Sequence, residues 1–97
     1  MKQVNIGICG LGTVGSGTFN VLTRNLAQIQ SRAGCAIHIQ QVGARRDNPA
    51  CDLSSTQVTR DIFDVVINPD VDIVVELIGG TTVAKDIVLK AIENGKH

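Results

Sequence analysis

The residues whose types and spacing point most directly to chemistry are those of Gly10-Leu11-Gly12-Thr13-Val14-Gly15. A turn bare of side chains between a strand and a helix lets a diphosphate reach the backbone. The helix that follows presents unpaired N–H groups and a partial positive charge at its start. On that reading Gly10 makes the tight turn, Gly12 admits the phosphate, and Gly15 lets helix and strand pack closely. Leu11, Thr13 and Val14 complete the lining, the last two through the N–H groups of the first helical turn. A short glycine turn with no ligand is the plainer alternative. The strand pattern before the motif and the helical pattern after it favour phosphate binding.

Two further stretches fall where such a site would need them. Ala44-Arg45-Arg46-Asp47 ends the second strand pattern. In a dinucleotide site an acidic residue there takes the ribose 2′-hydroxyl. Arg45 and Arg46 instead offer planar, charge-assisted donors to a 2′-phosphate, which favours NADP. Asp47 leaves NAD open, and a solvated loop without a ligand is the remaining alternative. Glu76-Leu77-Ile78-Gly79-Gly80-Thr81 ends a later strand pattern. Gly79 and Gly80 would let the backbone pass close to a cofactor beyond the carboxyl end of the sheet. An ordinary glycine turn accounts for them equally well. Glu76 either bonds a neighbouring loop or faces the cleft.

No residue carries an obvious catalytic role. There is no Ser-His-Asp arrangement, carboxylate pair or metal-ligand cluster in the sequence. His38 sits mid-strand and reads as an exposed-face residue, and His97 as a frayed end. Cys9, Cys35 and Cys51 are odd in number and lack CxxC spacing, against both a disulfide framework and a zinc site. Cys9 reads as a small apolar residue at the end of a buried strand.

The elements that must position these residues follow from periodicity. Residues 2–9 read as a strand apolar on both faces, as in a covered parallel sheet. Residues 13–31 read as one helix, with Val14, Thr18, Val21, Leu22, Leu26 and Ile29 on its apolar stripe and Ala33-Gly34 closing it. Residues 35–44 read as the second strand and 45–55 as a surface loop containing Pro49. A short third strand at 57–59 precedes a helix at 61–67 that turns Ile62, Phe63, Val65 and Val66 inward. Asn68-Pro69-Asp70 stops that helix. A strand at 71–77 is followed by a turn at 78–81. A last helix, capped by Thr81 or Thr82, runs to Glu93 and buries Ala84, Ile87, Val88 and Ala91 before Asn94-Gly95. The alternation predicts an α/β fold with a parallel sheet and right-handed crossovers. It matches the first half of a Rossmann-type doubly wound sheet plus the following helix, incomplete where a further strand is expected.

Composition bounds the rest. Ninety-seven residues suffice for one domain, taken as residues 1–97. With two phenylalanines and no tyrosine or tryptophan, the core must be aliphatic. Nine basic and nine acidic residues cancel, which removes the electrostatic case for nucleic acid or an anionic membrane as partner. The lack of a secretory pattern or a long apolar run sets a cytoplasmic expectation.

The chain resembles the homoserine dehydrogenases. The resemblance rests on Val4 through Gly17, which contain the glycine motif, on Asp72 through Gly80, and on the Arg-Asp pair within Ala44-Arg45-Arg46-Asp47. The Glu-Leu-Ile-Gly-Gly run is the most discriminating of these. What the resemblance implies is an NAD(P)-dependent oxidoreductase that interconverts L-homoserine and L-aspartate 4-semialdehyde, on the route to threonine, methionine and isoleucine. It also implies a homo-oligomer, with substrate and dimerisation regions outside these residues. The lysines that handle protons in that family fall outside as well: Lys2, Lys85, Lys90 and Lys96 match none of them. On this expectation residues 1–97 bind cofactor and are inactive alone. Two alternatives remain, another NAD(P)-dependent dehydrogenase or reductase with the same opening fold, and a non-catalytic nucleotide-sensing module.

Overall fold

The computed structural model of the chain describes residues 3–45, 48–78 and 82–97. The elements run β1 (Gln3–Cys9), α1 (Thr13–Arg24), α2 (Leu26–Ala33), β2 (Ala36–Gly43), β3 (Gln57–Thr59), α3 (Phe63–Ile67), β4 (Ile73–Glu76) and α4 (Thr82–Glu93). The strands form one sheet in the order β3-β2-β1-β4, every pair parallel. The expected α/β architecture is thus present, with β1 central and covered on both faces.

Each strand sends alternate residues to opposite layers. Ile6 and Ile8 of β1 join Leu11, Phe19, Ile39 and Val42 in one core, beneath α1. Cys9 joins Val65, Val66, Ile87 and Ala91 in the other, beneath α3 and α4. β4 divides likewise, with Ile73, Val75 and Leu77 against the first core and Val74 against the second. β2 needs an irregularity to do this, because its apolar residues change phase between Ile39 and Val42. Its register with β1 runs Ile6↔Ile39 and then Gly7↔Gln41, so Gln40 has no partner. This bulge resets the alternation and keeps Ile37, Ile39, Val42 and Ala44 on one face.

Several sequence expectations need correction. The helix expected over residues 13–31 is two helices that meet at Asn25. The Asn25 side chain donates to the Val21 carbonyl at 2.9 Å, alongside its own backbone N–H at 3.1 Å. An asparagine competing for a helical carbonyl interrupts the ladder. α2 ends at Gly34, whose φ of 71° is a left-handed helix stop. The side chain that anchors α1 in the core is Phe19, 3% exposed, and Val21 is 48% exposed. Phe63 faces outward because α3 is short and buries only Val65 and Val66. Val88 is also exposed, leaving Ile87 and Ala91 as the buried pair on α4. Ala84 and Val14 belong to positions whose side chains are not described.

The termination of α3 is as expected: Asn68 accepts from Asp70 N–H with its side chain and from Val71 N–H with its carbonyl. Lys96 ties the chain after α4 to this turn by donating to the Asn68 and Val71 carbonyls at 2.6 and 2.7 Å. His97 is not frayed. Its N–H donates to Asp72 O at 3.1 Å and its carbonyl accepts from Val74 N–H at 2.7 Å. Those two bonds flank Ile73 and form a parallel bridge on the edge of β4 away from β1.

Cys9 behaves as a small core residue, fully buried with its Sγ 3.8 Å from the Ile62 carbonyl. Burial, with a smaller contribution from the Glu76 carboxylate, pushes its thiol from 9.0 up to about 12. Unfolding above pH 9 therefore releases a proton that the folded chain retains. The contribution is complete below pH 9 and is lost as pH rises through about 12. Urea midpoints taken from about pH 8 to about pH 11 should fall more steeply for the parent chain than for Cys9→Ala. Parallel curves would show that the thiol does not couple to folding.

Candidate functional site

The register brings the carboxyl ends of three strands to one level, with Cys9 beside Gly43 of β2 and Glu76 of β4. The end of β1 and the turn after it are held between the end of β2 and the residue after β4. Gly10 N–H donates to Gly43 O at 2.7 Å, and Leu77 N–H donates to Cys9 O at 2.9 Å. Gly10 has a φ of 105°, a conformation that side chains strongly oppose, and a Cβ there would lie 2.8 Å from Ile78 Cγ2. Gly12 is the N-cap of α1, and a Cβ built on it meets nothing within 4 Å. A Cβ on Gly15 would collide with the Gly10 carbonyl oxygen. The three glycines therefore differ in kind: one for backbone conformation, one for open approach, one for contact.

The first intrahelical bond of α1 runs from Ser16 N–H to Gly12 O at 2.8 Å. The N–H groups of Thr13, Val14 and Gly15 precede it and lie outside the helical ladder. No acidic residue occupies the first turn, so nothing there neutralises the positive end of the helix. Leu11 points its side chain into the core, 6% exposed, and offers only backbone to the turn. The arrangement can accept an anion through backbone donors at the edge where open parallel sheets bind ligands.

Arg45 is exposed two residues beyond β2, on this same edge. Arg46, Asp47, Gly79 and Gly80 lie outside the described residues. Glu76 does not stand free: its carboxylate accepts from Ile78 N–H at 2.8 Å and closes its own turn, the first of the two roles considered. His38 is half-buried in β2, away from the carboxyl edge. Among the described residues no cluster of three potential metal ligands occurs, and no helix is long and apolar enough to cross a membrane. A cavity of about 560 Å³, lined by Val71, Asp72, Lys96 and His97 among others, lies at the start of β4 rather than at this edge.

Sequence reading missed two contributors. Arg60 follows β3 and donates from Nη1 to Ala44 O at 3.3 Å, which sets its guanidinium beside the Arg45 backbone. The strand-end rule that singled out Arg45 applies equally to β3, so this residue was within reach. The second is Asn48, in a segment read as plain surface loop. Its amide donates to Leu11 O at 3.0 Å and so touches the glycine turn directly. Nothing in sequence spacing signals a contact across 37 positions.

Residues 10–97 match the family model for the NAD-binding domain of homoserine dehydrogenase. The chain belongs to that family. Homoserine dehydrogenase of Pseudomonas aeruginosa is 64% identical over 97 residues, which is all of this chain and 22% of that protein. The solved homoserine dehydrogenase of Thiobacillus denitrificans is 46% identical with a TM-score of 0.87, covering 100% of this chain and 23% of the other. A homoserine dehydrogenase structure from S. aureus has a TM-score of 0.88 at 34% identity, over 100% of this chain and 25% of its own. The chain thus spans about a quarter of the length of these relatives. A levoglucosan dehydrogenase structure in complex with NADH and L-sorbose, at 20% identity and a TM-score of 0.79, shares the fold.

The contact between α1 and the turn sets a clear expectation. Gly15→Ala should destabilise the fold by about 1–3 kcal/mol, since a methyl group must displace backbone. Gly12→Ala, with open space around it, should cost under about 1 kcal/mol. Urea unfolding of the two variants checks the ranking, and equal costs would contradict it.

Proposed function

We propose that this chain is the NADP(H)-binding portion of an enzyme that interconverts L-homoserine and L-aspartate 4-semialdehyde. The observation that carries this reading is the open, side-chain-free turn at the N-terminus of α1, at the shared carboxyl edge of β1, β2 and β4. Family membership supports the substrate and reaction class of this reading. Such an enzyme acts in the cytoplasm on the route to threonine, methionine and isoleucine and works as a homo-oligomer. Residues 1–97 form its nucleotide domain, and the groups that move protons at the substrate carbon lie in the rest of the protein.

In this reading Gly10, Leu11, Gly12, Thr13, Val14 and Gly15 line the pyrophosphate, mostly by backbone N–H donation. Arg45 and Arg46 hold the 2′-phosphate of the adenosine ribose, with Arg60 adding positive charge beside Arg45. Gly79 and Gly80 pass near the ribose or the nicotinamide end. The bound cofactor supplies the hydride donor or acceptor. The chain's own part is to hold the dinucleotide against the sheet edge so that its nicotinamide projects past β4. NAD is the second reading, and Asp47 is the residue that favours it, by accepting from a free 2′-hydroxyl.

Two measurements bear on this. Replacing Arg45 and Arg46 together by alanine should weaken NADP binding by about ten-fold or more, as charged hydrogen bonds to phosphate are lost. NAD binding should change less, and the salt sensitivity of NADP binding should fall. Unaltered NADP affinity in calorimetric titration would refute the phosphate clamp. A polypeptide of residues 1–97 should leave homoserine unoxidised in the presence of NADP, and turnover would contradict the division of labour.

A further inference from the structure

We infer that Asn48 is a positioning residue for the pyrophosphate-binding turn, holding the Gly12 N–H in its donating direction. The inference rests on the dinucleotide reading above and adds to it a residue outside the glycine motif. Asn48 uses its whole amide. Its Oδ1 accepts from Ala50 N–H at 2.9 Å, which folds the loop into a turn, and its Nδ2 donates to Leu11 O at 3.0 Å. Those partners leave the amide one orientation, because a backbone N–H needs an acceptor and a carbonyl needs a donor.

The Leu11 carbonyl and the Gly12 N–H belong to the same peptide unit. The described chain has no cis peptide, so in this planar group the two point in opposite directions. Drawing the Leu11 oxygen toward the loop turns the Gly12 N–H away from it. Gly12 has no side chain to restrain that peptide, no cap bond from its own residue, and open space around its Cα. Without Asn48 the peptide plane is free to rotate.

The loop that carries Asn48 is itself fastened to α1. Asn20 Nδ2 donates to Ala50 O at 3.0 Å, Cys51 Sγ lies 3.8 Å from Ser16 O, and Cys51 N–H donates to Asn48 O at 2.9 Å. Loop and helix therefore form one body, and Asn48 reaches from it to the turn. This separates the positioning role from the integrity of the loop, which the other contacts maintain.

The test uses Asn48→Asp and Asn48→Ser in the intact protein. Both keep an oxygen that can accept from Ala50 N–H, and both lose the amide N–H that reaches Leu11 O, since the aspartate carboxylate carries no donor and the serine hydroxyl stands about one bond nearer the backbone. Calorimetry compares ADP, which carries the diphosphate, with adenosine 2′-monophosphate, which does not. Both variants should bind ADP about five-fold or more weakly, the factor expected for one lost hydrogen bond, and hold adenosine 2′-monophosphate within about two-fold. In the parent protein the Gly12 amide resonance should shift on ADP addition, and in Asn48→Ser that shift should shrink. Unchanged ADP affinity in a variant, or equal losses for both ligands, overturns the positioning role and leaves the dinucleotide reading standing. A parent protein that binds neither ligand overturns both.

Discussion

The carbonyl oxygen of Gly10 fills the space that a side chain on residue 15 would need. That contact sets the distance between the first turn of α1 and the end of β1. Much else follows from it. A helix this close brings its unpaired N–H groups to the edge where the strands finish. It also lets Phe19, farther along α1, reach the layer formed by Ile6, Ile8, Ile39 and Val42. The open helix end and the core packing are thus two results of one backbone approach. The opposite face shows the same economy. A Cβ at Gly43 would lie 3.0 Å from Ile62 Cα and 3.1 Å from Val65 Cγ2, so α3 also rests nearly on the sheet. An aliphatic chain with so few aromatic residues fills its core by bringing backbones together.

How far the fold was legible depended on whether a signal was local. The glycine motif, the doubly apolar β1 and β4, the short β3 and the Asn68-Pro69 stop are all written in neighbouring residues, and each element stands where they put it. The break at Asn25 was written there too, but its period did not reveal it. Apolar residues on both sides share a stripe, and only the competition for the Val21 carbonyl shows that the helix divides. Val21 was read inward and Phe19 was left off the stripe, yet the inward face of α1 runs through Gly15, Phe19 and Leu22, spaced four and three residues apart, and leaves Val21 outside. Phe63 was read inward with its apolar neighbours, but α3 has five residues and buries only Val65 and Val66. Val88 was read inward from its spacing with Ala84, Ile87 and Ala91, and α4 turns in Ile87 and Ala91 instead.

The candidate site divides in the same way. Its glycines and Arg45 were legible, since their places derive from strand ends and helix starts. Arg60 required β3 to be treated as a full member of the sheet despite its length. Asn48 was not legible at all. Its importance lies in one contact between segments distant in sequence, and a polar residue near a proline reads as ordinary loop. Glu76 was legible as a strand-end carboxylate, yet its use was settled only by geometry: it caps Ile78 N–H and is occupied by its own turn. Family membership sharpened the reading of substrate without adding to this map of the edge.

The unpaired Gln40 in β2 has a reach beyond local packing. Side chains in a strand point alternately up and down, so an extra residue taken up without a bulge would exchange the orientation of everything after it. Val42, Ala44 and the start of the loop bearing Arg45 all lie downstream. By leaving Gln40 unpaired, β2 keeps Val42 and Ala44 on the face of Ile37 and Ile39, whereas a β2 that took Gln40 into the regular ladder would turn both to the opposite layer. The face on which Val42 and Ala44 pack, and from which the chain leaves toward Arg45, is therefore decided several residues upstream, by a glutamine left out of the ladder.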